Sequence, residues 1–218
     1  MDQPVLERDA DDIRAYLRGR VNSAIRRLGV FGGEVSLVLL GEALAYACGQ
    51  EQQWERQRAE LKDRDAFYPT GVTGAAQDVL RRDDRPDDAV ASVYAELAHR
   101  NGWLNLDRTL TVAKYDRLSE QIAAMCKRDW TLTELTLRLG APSVLCGGGN
   151  PRYPSSLVYL AEDPERPAVC LHFWNGADER TGQWPKFSEP ILFAVRHGPG
   201  RFRESFTFTP AGSAHVQR

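Results

Sequence analysis

The hydrophobic period of this chain changes at Pro142, and that change limits the fold more than any motif does. Before it, apolar residues return every three or four positions, the spacing that gathers them on one side of a helix. After it they come in short runs rich in aromatic and β-branched residues, separated by Pro, Gly, Asp and Asn, as strands do.

In the first part, Ile13, Leu17, Val21, Ala24 and Leu28 form one stripe, flanked by Arg14, Arg18, Arg20, Arg26 and Arg27, and Gly29 offers a stop. A second helix buries Leu37, Leu40, Leu44 and Cys48. It breaks or kinks at Gly49 and continues through the charged segment 51–65 with Trp54 and Leu61 packing. Pro and Gly make 67–74 a loop, followed by a short helix over 75–82. A helix is predicted over 86–101: Pro86 suits a first turn, Asp87 and Asp88 favour the positive end of the helix dipole, and Gly102 terminates it. Tyr115, Leu118, Ile122 and Met125 mark another, and the capping box Thr131 to Glu134 opens a last one that closes at Gly140.

Beyond Pro142, strands are expected over 157–161, 168–174, 191–196 and 202–209. The fold class is therefore α+β: a mainly helical portion, 1–141, packed on a four-stranded antiparallel meander, 142–212, in one structural unit with a tail over 213–218.

Composition removes several functions. A chain of 218 residues with 42% hydrophobic and 27% charged residues is an ordinary globular sequence. A net charge of −2 argues against a dedicated nucleic-acid binder. The most apolar run, 35–48, is interrupted by Gly41 and Glu42 and is too short to span a bilayer, so a buried helix is expected there. Glu42 within it faces solvent or pairs with an arginine, for example from the first helix. The N-terminus has no apolar core of a secretory signal, which predicts a cytoplasmic protein with Cys48, Cys126, Cys146 and Cys170 reduced. Arg outnumbers Lys by 24 to 4, as expected of a GC-rich, bacterial coding sequence.

The stretch Leu-Cys-Gly-Gly-Gly-Asn-Pro-Arg-Tyr-Pro, 145–154, invites a phosphate-loop reading but lacks the Lys-Ser/Thr and the following helix that such a loop needs. Position 152 is Arg where a dinucleotide fingerprint needs its third glycine, so the stretch reads as a hinge feeding a sheet. Cys146 as a nucleophile would need a nearby cation and a base such as His172 or His197; the commoner role of a lone cysteine is a small buried hydrophobe. Cys170 and His172 share one side of a strand, but two ligands are too few for zinc, and no metal is assigned.

Alternation places Val169, Leu171 and Phe173 on one face of their strand and Cys170, His172 and Trp174 on the other. The same rule opposes Ile191, Phe193 and Val195 to Leu192, Ala194 and Arg196, and Phe202, Phe206 and Phe208 to Arg203, Ser205, Thr207 and Thr209. If the aromatic faces cover the helices, an open face remains. The bland role of its Ser and Thr residues is solvation, but Trp and Arg are typical binding anchors. The candidate binding residues are thus Asn150, Arg152, Tyr153, His172, Trp174, Trp184, Arg196 and Arg203.

The function expected is a non-enzymatic protein-binding module (adaptor, inhibitor or immunity-type) that meets another protein through the open sheet face and adjacent loops. It has no catalytic residue, cofactor or membrane span assigned. The alternative is a small cofactor-independent enzyme, a transferase or hydrolase, with a pocket near Cys146 and His172. A second alternative is nucleic-acid contact through the arginine-rich first helix, which the net charge disfavours.

Overall fold

The computed structural model describes residues 5–81, 86–147, 150, 153–178 and 180–217. Seven helices lead: α1 (Val5–Arg26), α2 (Gly33–Cys48), α3 (Glu51–Asp63), α4 (Gly71–Leu80), α5 (Asp87–Arg100), α6 (Val112–Met125) and α7 (Leu132–Leu139). The strands β1 (Val144–Cys146), β2 (Ser155–Tyr159), β3 (Val169–Trp174), β4 (Ile191–Arg196) and β5 (Phe206–Phe208) follow, and α8 (Pro210–Val216) ends the chain.

The class is α+β with an antiparallel sheet, as the change of period predicts, but the sheet has five strands in the order β1-β2-β3-β4-β5 where four are expected. The additional strand, β1, is three residues long, too short to display an alternation. At the other end, only Phe206–Phe208 of the expected strand 202–209 pairs as a strand, after a 3-10 turn at Arg203–Ser205. Thr209 then accepts a hydrogen bond from the Gly212 amide and Pro210 supplies the first helical turn, so most of the expected tail is helix.

Helix α4 also begins earlier than Pro69 and Gly71 suggest. The Glu34 carboxylate accepts from the Val72 and Thr73 amides at 2.6 and 2.7 Å, and from the Thr73 and Tyr94 hydroxyls at 2.6 Å each. A carboxylate from α2, nearly forty residues away, satisfies the first turn of α4.

Helices cover the sheet on both faces. Val144, Cys146, Val158, Cys170, Ala194 and Phe206 pack into one core with α1 to α5. Leu157, Tyr159, Val169, Leu171, Phe173, Leu192 and Val195 pack into a second core with α6 and α7. A register shift between His172 and Phe173 breaks strict alternation in β4, pairing His172 with Ala194 but Phe173 with Leu192. Leu192 therefore joins the α6 side with Val195, while Phe193 and Ala194 share the α5 side. The open face is thus corrected: what simple alternation leaves to solvent lies under α5.

The edges are protected too. Beside β1, the Ser143 carbonyl accepts from the Asp107 amide and the Gly147 amide donates to the Arg26 carbonyl, while β5 is only three residues long.

Helices α2 and α3 approach through a glycine. A Cβ built on Gly41 would lie 2.7 and 2.8 Å from two atoms of the buried Trp54 ring. Gly41→Ala is expected to lower stability by about 1–3 kcal/mol through overpacking, measured by urea unfolding. A gain of about 1 kcal/mol, the helix-propensity effect alone, would show that the ring yields without cost.

Candidate functional site

Under α5 lies a seam of buried polar side chains. Asp88, Ser92 and Glu96 recur every fourth residue and so share one side of the helix. Facing them, cross-strand pairing sets Cys146 opposite Ser156 and Ser156 opposite His172, with Cys170 opposite Arg196 one row along. All eight are buried.

At one end of the seam the Ser156 hydroxyl donates to Asp88 Oδ2 at 2.7 Å and lies 2.7 Å from His172 Nδ1. A hydroxyl has one proton. With that proton committed to Asp88, His172 must donate Nδ1–H to Ser156 Oγ. A nucleophilic relay needs the opposite, an imidazole that accepts the serine proton and is itself oriented by the carboxylate. The order carboxylate, hydroxyl, imidazole therefore locks the serine. His172 stacks on Phe206 with ring centroids 5.5 Å apart.

At the other end Arg196 donates Nη1 to Glu96 Oε2 at 2.9 Å and Nη2 to Cys170 Sγ at 3.1 Å. Burial by itself disfavours the guanidinium charge, and Cys170 and Glu96 outweigh it, so Arg196 is held protonated. Arg100 extends the array outward to Glu96 at 3.6 Å and to Glu60 at 3.1 Å.

Cys146 belongs to this interior. Burial raises its thiol pKa well above the ordinary value, with Cys170 and Asp88 adding to the rise, the reverse of what a nucleophile needs. Cys170 is raised by burial in the same way. Among the described residues no group of three or more His, Cys, Asp and Glu side chains is arranged to hold a metal.

The expected binding residues scatter. His172 and Arg196 lie in the seam, so neither can meet a partner from an open face. Trp174 is half-buried against the Phe193 and His215 rings at 5.8 and 4.9 Å. Arg203 is exposed but spans to Asp78 at 2.8 Å. Arg152 falls outside the described residues, and Asn150 is exposed. Two of the eight do converge: Tyr153 and Trp184, 51% and 47% exposed, bring their rings to 5.4 Å.

One surface feature is not revealed by the periodicity. Along α2, Val35, Leu39 and Tyr46 are 72%, 60% and 77% exposed, although their helix was expected to be buried. Their spacing puts all three on one side. Val35 and Leu39, with Val38, line a groove of about 660 Å³ whose far wall is Phe67, Pro69 and Thr73. Glu42 at its rim pairs with Arg58 of α3. A signal was present: α2 is apolar at 35, 37, 38, 39 and 40, more than one buried stripe can use.

Several of the arginines along the first stripe are engaged within the protein. Arg14 bridges to Asp11, Arg26 to Asp107, and Arg20 lies over the Phe31 ring at 4.9 Å. No helix among the described residues is long and apolar enough to cross a membrane.

Set beside protein families, curated proteins and solved structures, the chain finds no match in any of the three.

Two outcomes are expected from the seam. Glu96→Gln leaves Arg196 buried without its counter-charge and should cost about 3–5 kcal/mol by denaturant unfolding, whereas Glu96→Met combined with Arg196→Met should cost far less. In native protein, iodoacetamide should modify half-buried Cys48 and spare Cys146 and Cys170, with all of them reacting in denaturant; peptide mass spectrometry reads this directly.

Proposed function

We propose that the chain is a non-enzymatic protein-binding module, of the adaptor, inhibitor or immunity type, whose principal contact surface is the α2 groove. The observation that carries this is the exposure of Val35, Leu39 and Tyr46 beside that groove. Contiguous exposed apolar surface is costly in water and marks interaction sites. A groove walled by a helix accepts the apolar side of a partner helix, whose anchors would recur every three or four residues. Tyr153 and Trp184 supply a second contact, since paired exposed aromatics offer large apolar area with few rotatable bonds.

The enzyme alternative, a pocket near Cys146 and His172, has less support, because both side chains are buried under α5.

The test is affinity purification from the native host with wild-type, Leu39→Glu and Trp184→Ala chains. Wild type should retain a stoichiometric protein. Leu39→Glu should lower its retention about tenfold or more, the loss of one central anchor, with stability within about 0.5 kcal/mol of wild type. Trp184→Ala should have a smaller effect. Undiminished retention by Leu39→Glu would remove the groove from the interface.

A further inference from the structure

We propose that a cleft on the opposite side of the sheet, between α6, α7 and β2, is an anion site for a small molecule carrying two phosphate groups. It has a volume of about 320 Å³ and is lined by Arg108, Lys114, Arg117 and Arg138, with Gln121 beside them and no carboxylate. Lys114, Arg117 and Gln121 share one side of α6, since they recur at steps of three and four. Arg108 comes from the segment leading into α6, and Arg138 from the last turn of α7.

The cations lack counter-charges among the described residues, although Arg138 also lies over the Trp130 ring at 5.5 Å. Among the described residues Lys114, Arg117 and Arg138 make no ion pair, whereas Arg26, Arg58, Arg166, Arg196 and Arg203 each have a carboxylate partner. Arg108 is fixed in place, donating Nη1 to the Leu139 and Ala141 carbonyls at 2.9 and 3.1 Å. Four like charges around one small cleft repel each other, in a chain whose net charge is −2. An anion removes that repulsion.

The anion's class follows from charge, geometry and size. Three guanidinium groups match the oxygens of phosphate through paired N–H donors, better than those of a simple halide. A terminal phosphate group carries about −1.5 to −2 and a linking one about −1, so two of them offset most of the charge of the four cations. The volume sits at the lower end of small-ligand pockets, roughly 300–1,000 Å³, so it suits a molecule of mononucleotide size or smaller. Leu110, Leu118, Leu139 and Tyr159 give the cleft an apolar lining, and Tyr159 is anchored by donating its hydroxyl to the Gly140 carbonyl at 3.0 Å.

Isothermal titration with pyrophosphate, with ADP and with a single-stranded oligonucleotide, each at about 50 mM salt where screening is modest, tests the site. Saturable one-to-one binding of pyrophosphate or ADP is expected. Lys114→Glu and Arg117→Glu, both exposed positions, should each weaken it about tenfold or more, with unchanged thermal midpoints. Arg56→Glu, the same charge change on an exposed residue of α3, should leave it within about twofold. ADP binding tighter than pyrophosphate would add use of the apolar lining. Absence of saturable binding by either diphosphate, or an equal loss with Arg56→Glu, would overturn the proposal. Tighter binding of the oligonucleotide through the same residues would overturn it in favour of a nucleic-acid surface.

Discussion

The buried pairing of Arg196 with Glu96 fixes how the helical portion sits on the sheet. Hydrophobic contact between α5 and the strands is non-directional and tolerates a helix slid by a turn. A guanidinium on β4 that must meet a carboxylate on α5 does not, because a one-turn shift strands both charges in the core. Ser156 with Asp88 imposes a second such condition two turns away on the same helix. Buried ion pairs are weak as net stabilisers, so their part here is best understood as setting register.

That register decides what the chain can present outward. With α5 locked over β1 to β3 and α6 and α7 over the other face, neither face of the sheet is left for a partner. Recognition passes to helices and loops. The groove beside α2 then depends on Glu34, whose carboxylate holds the first turn of α4 against α2. The chain approaches closely there: a Cβ on Gly71, at a φ of 78°, would lie 2.6 Å from the Glu34 carboxyl atoms. A glycine, a distant carboxylate and an extra apolar stripe on α2 together make the surface that is proposed to bind.

What the sequence revealed follows from which interactions are local. The helices from α5 to α7 were legible because Asp87, the Thr131 to Glu134 box, Gly102 and Gly140 are signals written within a few residues of the ends they set. The α4 start was not, since its cap comes from Glu34. Strand β1 was too short to show a period, and α8 was missed although Thr209 and Pro210 are an ordinary cap and first turn. Alternation along β4 failed at one bulge, which is set by pairing with β3 and not by composition. The seam itself was half legible: Asp88, Ser92 and Glu96 have helical spacing, but a polar stripe on a helix ordinarily faces water. Only the sheet's His172 and Arg196 explain why this one faces inward. Of the expected contact residues, Tyr153 and Trp184 converge because loops at one end of a sheet gather, a consequence of topology that neither segment carries alone.

The two surfaces proposed here are chemically unlike and separated by the sheet. The α2 groove is apolar and belongs to the layer packed on the face with Cys170 and Ala194, while the basic cleft belongs to the layer packed on Leu171 and Leu192. A partner helix in the first and a small anion in the second do not compete for space. Any influence of one on the other must travel through α5, the seam and the strands. The seam resists movement along that path, because moving α5 would separate the buried Arg196 from Glu96. A fold built this way insulates its two sides, so occupancy of the cleft is expected to leave affinity at the groove unchanged while Arg196 and Glu96 remain paired.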